Sequence, residues 1–404
     1  MPLIASSSPE HAVGNRTGAP SSFSPEFSLL LGCCSLTDAS SERLRPGLAA
    51  ALDWSLLLEL AEHHGVTPLV YRSLRDRGPL VPSEVLEKLR SRYAQNARKN
   101  LRFKAELVRI LDCLEAHRIR AIPFKGPVLA EILYGDLGLR SFSDLDVLVQ
   151  PADVGRAQLA LSTLGYRRAS TFSPAQERAY IASAYECALD GPADRNLLEI
   201  QWGIVPRFYA VDFDLAGFFQ RASRTTLGGS RVEKLADEDL LLALAVHAAK
   251  HLWSRLCWLR DLAAVVGTHA FDGDRVERQA AELGISRILG MNVLLANRLL
   301  AAPMPEPWKA KWQDDGELGA LCEAIEQHLA GAAEYSTESL HYFGWMMRLR
   351  ERPADRWKLF SRLALTPGVG EWSLVRLPGP LFPLYRVVRM FRLAGRILSA
   401  AGLT

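Results

Sequence analysis

The sequence predicts an α+β fold: a small mixed β-sheet flanked by N-terminal helices and by a larger C-terminal helical region. Three observations carry this. Before residue 117 apolar residues recur at helical spacing. Between about 119 and 205 they fall into short runs broken by Gly, Pro and Asp, the pattern of strands and turns. From Asp237 onward the helical period returns. The expected units are therefore a tail (1–24), an N-terminal helical region (25–117), a central core (118–235) and a C-terminal helical region (236–404).

The tail is rich in Ser, Pro and Gly and reads as disordered; it lacks the basic-then-apolar order of a signal peptide. Phe27 to Leu31 starts the folded part. Asp53 is placed to cap a helix through Leu60 that Gly65 ends. Ser83 is placed to cap a long helix reaching His117. Leu86, Leu89, Tyr93, Leu101, Leu107, Ile110, Leu111 and Leu114 share its apolar face. The basic positions Lys88, Arg90, Arg92, Arg98, Lys99, Arg102 and Lys104 on that helix are dispersed and read as solvated.

The central unit begins at Ile119. The apolar run Ala121–Phe124 leads into Lys125-Gly126, and Pro127, suited to a first helical position, opens a helix to about Asp136. Arg140-Ser141-Phe142-Ser143 precedes a strand, Asp144-Leu145-Asp146-Val147-Leu148-Val149. Pro151-Ala152-Asp153 opens a helix ending near Gly165. Two strand-like runs, Ala182–Leu189 and Leu197–Val205, flank the turn-rich Asp190–Arg195 and read as an antiparallel pair. Asp237 is placed to cap Leu240–Trp253, a second helix holds Trp258–Leu262, and further helices are expected over 272–283, 286–301 and 317–330. Residues 337–404 read as helical with breaks at Pro353, Pro367, Pro378 and Pro380.

Composition excludes little. The chain is 49% hydrophobic and 23% charged, ordinary for a globular protein. Its net charge of +3 argues neither for nor against nucleic acid. Six scattered cysteines make no C-x-x-C pair, so zinc spacing is absent and reduced thiols are expected. No apolar run is long enough to span a bilayer. A cytoplasmic location is the expectation that follows.

The chemistry concentrates between Phe124 and Val149. Asp144 and Asp146, two apart on a strand, project from one face. Two carboxylates that close repel, and a divalent cation resolves the conflict; Mg²⁺ (or Mn²⁺) is the hard ion that favours carboxylate and phosphate oxygens. Gly126 at the start of a helix lets a phosphate approach the backbone and the positive helix end. Lys125 beside it can neutralise phosphate charge. Arg140 and Ser143 flank the aspartates and can meet phosphate oxygens, although Arg140 can equally pair with Asp144 or Asp146. A two-metal site needs a third carboxylate. Glu199, mid-strand among apolar residues, is the first candidate and Glu186 the competitor, with a supporting role in substrate binding or in orienting Lys125. His247 and His251 share a helix face, but Ala248 stands where a zinc-protease helix has Glu, so a packing or hydrogen-bonding role is expected. Lys250 is placed on the same helix to reach a nucleotide. Arg386, Arg389, Arg392 and Arg396 form a basic stripe that reads as the solvated face of a docked helix, with a membrane surface or nucleic acid as the functional readings.

The ordered set Lys125-Gly126, Arg140 and Asp144-Leu145-Asp146 resembles the polymerase-beta-like nucleotidyltransferase superfamily. Its Lys-Gly turn and long gap to the aspartates resemble a family of uncharacterised bacterial nucleotidyltransferases, and also the nucleotidyltransferase-like antitoxins of abortive-infection systems. The resemblance extends to Tyr185-Glu186, to the run His247–His251, to Trp258–Asp261 and to Pro383-Leu384-Tyr385 with Arg389. It departs at Gln201-Trp202, where His-Trp is the family's pair. It supports Glu199 as the third metal ligand. It implies Mg-dependent transfer of an NMP group from an NTP to a hydroxyl acceptor, with release of pyrophosphate. No RNA-binding module is visible, which favours a protein or small-molecule acceptor. The alternative is a non-catalytic nucleotide-binding or antitoxin-like module that binds a protein partner. Nothing in the phosphate cradle reads a base, so base contacts are expected from the helix carrying His247, Lys250 and His251, closing over the cleft.

Overall fold

The computed structural model describes residues 23–36, 44, 51–77, 80–168, 172–192, 197–268, 270–332, 339–375 and 377–400. Most of the expected tail, residues 1–22, lies outside them. The N-terminal helices are α1 (Pro25–Cys34), α2 (Trp54–His63), α3 (Thr67–Leu74) and the 34-residue α4 (Ser83–Ala116). Asp53 caps α2 as expected, its carboxylate accepting from the Ser55 and Leu56 amides. Ser83 does not cap α4. It is the first helical residue, and Pro82, extended at φ −56°, stands at the cap without a side-chain bond.

Next come β1 (Ala121–Pro123), α5 (Gly126–Tyr134), β2 (Asp144–Val149), α6 (Val154–Ser162), α7 (Pro174–Ser183), β3 (Glu186–Asp190) and β4 (Leu197–Gln201). The four strands form one sheet in the order β1-β2-β4-β3. β2 pairs antiparallel with β1 and parallel with β4, and β3 pairs antiparallel with β4, so the sheet is mixed as expected. The expected run Ala182–Leu189 is corrected at its start. Ser173 and Gln176 form a capping box that drives α7 through Ser183, and the strand begins only at Glu186. The second run stops at Gln201, after which Trp202 N still reaches Tyr185 O at 2.8 Å.

After α8 (Leu215–Arg221) a hairpin that the sequence reading did not anticipate, β5 (Ser223–Leu227) and β6 (Ser230–Lys234), turns at Gly228-Gly229. Both glycines have positive φ, as a two-residue hairpin loop requires. Helices then run to the end: α9 (Asp237–Lys250), α10 (Leu256–Thr268), α11 (Gly273–Leu283), α12 (Ser286–Leu300), α13 (Glu306–Trp312), α14 (Gly316–Ala330), α15 (Leu340–Arg348), α16 (Pro353–Leu365), α17 (Val369–Leu374) and α18 (Tyr385–Ala400). Asp237 is the first residue of α9 rather than its cap, and it pairs with Lys234 at 2.6 Å.

Two cores sit on the two sides of the sheet. Leu145, Val147, Val149, Leu198, Ile200, Cys187 and Leu189, at alternate positions along three strands, pack with Phe103, Leu107, Ile110 and Leu114 of α4. The other, larger core joins α1–α3 to the C-terminal helices, and the Leu36 amide donates to Leu300 O across it at 3.1 Å. The buried face of α4 is not wholly apolar: Leu101 is exposed, while Asn100 is fully buried. Among the described residues no helix is long and apolar enough to cross a membrane.

Candidate active site

The sheet's period of two places the polar residues together. In the parallel β2–β4 pair Asp146 lies opposite Glu199, and in the β3–β4 pair Glu186 lies opposite Gln201. Asp144, Asp146, Glu199, Gln201 and Glu186 therefore share the face turned away from α4. Both glutamates face the cleft; Glu199 is the direct neighbour of Asp146, as its assignment needs. Asp144, Asp146, Glu199 and Glu186 line a cavity of about 770 Å³ with Lys125, Gly126, Arg140, Ser143, His247, Lys250 and His251, so every sequence-predicted residue reaches the same cleft.

Its bonding is dense. Lys125 Nζ donates to Asp146 Oδ1 at 3.0 Å. Gln201 Nε2 lies 2.7 Å from Asp146 Oδ1, 3.1 Å from Glu199 Oε2 and 3.2 Å from Glu186 Oε2. Burial, then Glu186, Asp146 and Asp144, pushes the Glu199 carboxyl up to about 8. Burial and Asp146 likewise raise Asp144. Burial works against the Lys125 charge, but Asp146, Glu199 and Asp144 together outweigh it and the lysine is raised.

Lys125 stands at the N-cap of α5 and Gly126 opens the helix at φ +56°. A Cβ there would meet Asp144 O at an ordinary 3.5 Å, so it is the left-handed turn that glycine supplies. Ser143 is exposed on the cleft wall. Arg140 pairs with neither Asp144 nor Asp146. It is buried and forked on Asp261, with Nε 3.0 Å from both carboxylate oxygens and Nη2 2.8 Å from Oδ2. Tyr134 donates to the same carboxylate at 2.7 Å. Opposite, Asn96 and Asn100 donate to Arg140 O, and Lys99 donates to Phe142 O. The loop entering β2 is thus held from α4 on one side and α10 on the other.

Lys99 was expected in solvent; it is half-buried, and burial lowers its ammonium. Arg92 and Lys104 also pair, with Glu62 and Glu131, each at 2.9 Å. Asn96, Lys99, Asn100 and Gln201 are the site residues that sequence reasoning missed. Only the Asn pair left a signal: two amides four apart on the inner side of a long helix.

The α9 residues close the other wall. Lys250 Nζ donates to Tyr185 OH at 2.8 Å, and burial lowers its ammonium against the pull of Glu186. His247 and His251 pack edge-on at 4.9 Å, and the Trp258 ring lies 4.8 Å from His251. Burial first, then the nearby lysines, keeps both imidazoles neutral, His251 down to about 3. Leu252 and Trp253, both at positive φ, make the sharp turn that sets Trp258 on the histidines.

Among the described residues no three His, Cys, Asp or Glu side chains are arranged to hold a metal ion. The Lys125 ammonium and the Gln201 amide hold one oxygen of Asp146, and the amide also reaches one oxygen each of Glu186 and Glu199. The donor set still fits a hard divalent cation, since it is all oxygen and one amide with two hydrogens serves three carboxylates.

The sequence model of a family described as uncharacterised nucleotidyltransferase matches residues 50–301, more than half of the chain. The match contains the sheet, α4, the cleft and α9–α12. No curated protein and no solved structure matches the chain.

Proposed function

The chain belongs to this uncharacterised nucleotidyltransferase family, and from that premise we propose that it moves an NMP group from an NTP to a hydroxyl acceptor and releases pyrophosphate. The observation that carries the reading is the register of β2 and β4, which sets Asp146 beside Glu199 with Asp144 on the same face, next to the N-terminus of α5. Asp144, Asp146 and Glu199 would hold Mg²⁺ or Mn²⁺. When bound, that ion would supply charge neutralisation at the phosphates.

The chain's own residues do the rest. The Gly126 turn and the positive end of α5 receive the phosphates. Lys125, the counter-charge of Asp146, adds a cation beside them, and Ser143 and Lys250 add donors from the cleft walls. Arg140, tied to Asp261, acts through the loop it fixes. The acceptor hydroxyl gives up its proton to solvent as its oxygen bonds to the α-phosphorus, and the bond from that phosphorus to the α–β bridging oxygen breaks, this oxygen leaving as a terminal oxygen of pyrophosphate. The face of His247, His251 and Trp258 is the apolar wall against which a base can stack. A cavity of about 770 Å³ suits a nucleotide with part of a small molecule or one protein side chain.

Labelled NTPs incubated with the protein, a divalent cation and lysate fractions test this. Label from α-³²P should enter an acceptor, and label from γ-³²P should appear only in pyrophosphate. Transfer of the γ label would replace the reading with phosphoryl transfer. Tight nucleotide binding without any transfer would support the non-catalytic module instead.

A further inference from the structure

The C-terminal helices are built outside-in. Arg389 and Arg392 of the basic stripe point into the protein. Arg389 Nε donates to Leu363 O, and Arg392 Nη1 lies 2.7 Å from the buried Glu371. The opposite side of α18 carries Val387, Met390 and Phe391, spaced one helical turn apart and 41%, 46% and 75% exposed. The neighbouring α16 adds Trp357 and Phe360, stacked on each other and 69% and 47% exposed. Of the fifteen large apolar side chains exposed among the described residues, eleven fall between 357 and 391. Because α16 and α18 pack against each other, their exposed apolar side chains lie on neighbouring parts of the surface.

Charge says what covers it. Residues 353–404 hold eight Lys and Arg against two acidic residues, although the whole chain is nearly balanced. Among the described residues four of the eight cations are paired, Lys358 and Arg362 with Asp212 and Arg389 and Arg392 with Glu371, and Asp355 pairs with Arg352, so three acids in all face the eight. Arg386 stays exposed beside the apolar side of α18. A second copy of this face would bring two basic surfaces together. A nucleic acid would meet hydrocarbon where it needs donors. Large apolar and aromatic side chains in a basic surround are what an anionic bilayer surface accepts from a helix lying in its plane.

We propose that α16 and α18 seat the protein on an anionic lipid surface, with Phe391, Met390, Val387 and Trp357 entering the headgroup boundary. The proposal is independent of the transfer chemistry. Its test is flotation of the full chain with vesicles of phosphatidylcholine alone and of phosphatidylcholine mixed with phosphatidylglycerol. The chain should float with the anionic vesicles and not with the neutral ones, and high salt should weaken the binding. The double variant Val387→Glu/Phe391→Glu alters exposed positions, so its melting temperature should match the parent. Its binding should fall by roughly tenfold or more, since two apolar side chains leave the interface. Absence of flotation, equal flotation of a folded variant, or a vesicle-free dimer that the variant abolishes would each overturn the proposal. The last result would make this face an interface between copies.

Discussion

The Gln201 amide nitrogen has two hydrogens and three carboxylate neighbours, so one of them always goes short. Lys125 compensates at Asp146 alone. The two aspartates should therefore respond differently to the same substitution. Both Asp144→Asn and Asp146→Asn should lose nucleotidyl transfer. Asp144→Asn removes a repelling charge and should leave the metal-free melting temperature equal or higher. Asp146→Asn takes away the hydrogen-bonded counter-charge of a buried lysine and should destabilise by about 3 kcal/mol. Urea unfolding without metal separates them, and equal stabilities would show that Lys125 does not depend on Asp146. The acidic residues were legible in the sequence because strand alternation alone puts Asp144 and Asp146 on one face. Gln201 was not, because a neutral residue gains its role only from the register of two neighbouring strands.

Among the elements, the loop before β2 decides whether the site holds its shape. Its clamp joins Arg140 to Asp261 of α10, more than a hundred residues away, and both side chains are buried. Asp261→Ala would strand the guanidinium and should cost about 3–5 kcal/mol. The double change Arg140→Met/Asp261→Leu should recover much of that stability without recovering transfer. If transfer survives in the folded double variant, the clamp has no part in placing β2. The sequence marked Asp261 only as an acidic residue on an apolar helix, since nothing local names its partner. Helices α11, α12 and α14 were legible almost to the residue from their period. The hairpin β5–β6 was not: its strands carry Arg, Thr, Glu and Lys at many positions, and only Gly228-Gly229 hinted at the turn.

At the scale of the molecule, helices from the two ends of the sequence share one core, a long-range fact that no local pattern contains. Buried histidines in it tie stability to pH. Burial, then His63, holds His64 down to about 3; burial, then His341, holds His328 down to about 4. Both are neutral when folded and take up protons near 6.5 when unfolded. Their contribution is thus full above that value and is lost as pH falls toward 4, up to about 2 kcal/mol each near pH 5. Urea unfolding near pH 7.5 and near pH 5 should show the loss, and a His64→Leu/His328→Leu variant should show a flatter pH dependence even if it is less stable throughout. An unchanged slope would mean the histidines are solvated in the folded state. The strand β2 has a different reach. Its odd-numbered residues hold the molecule together and its even-numbered aspartates hold the cleft, one peptide unit apart. Heredity can therefore act on the two separately. A lineage that lost the aspartates together with Lys125 would keep its shape and its nucleotide-sized hollow, and turnover would give way to mere recognition without the architecture changing.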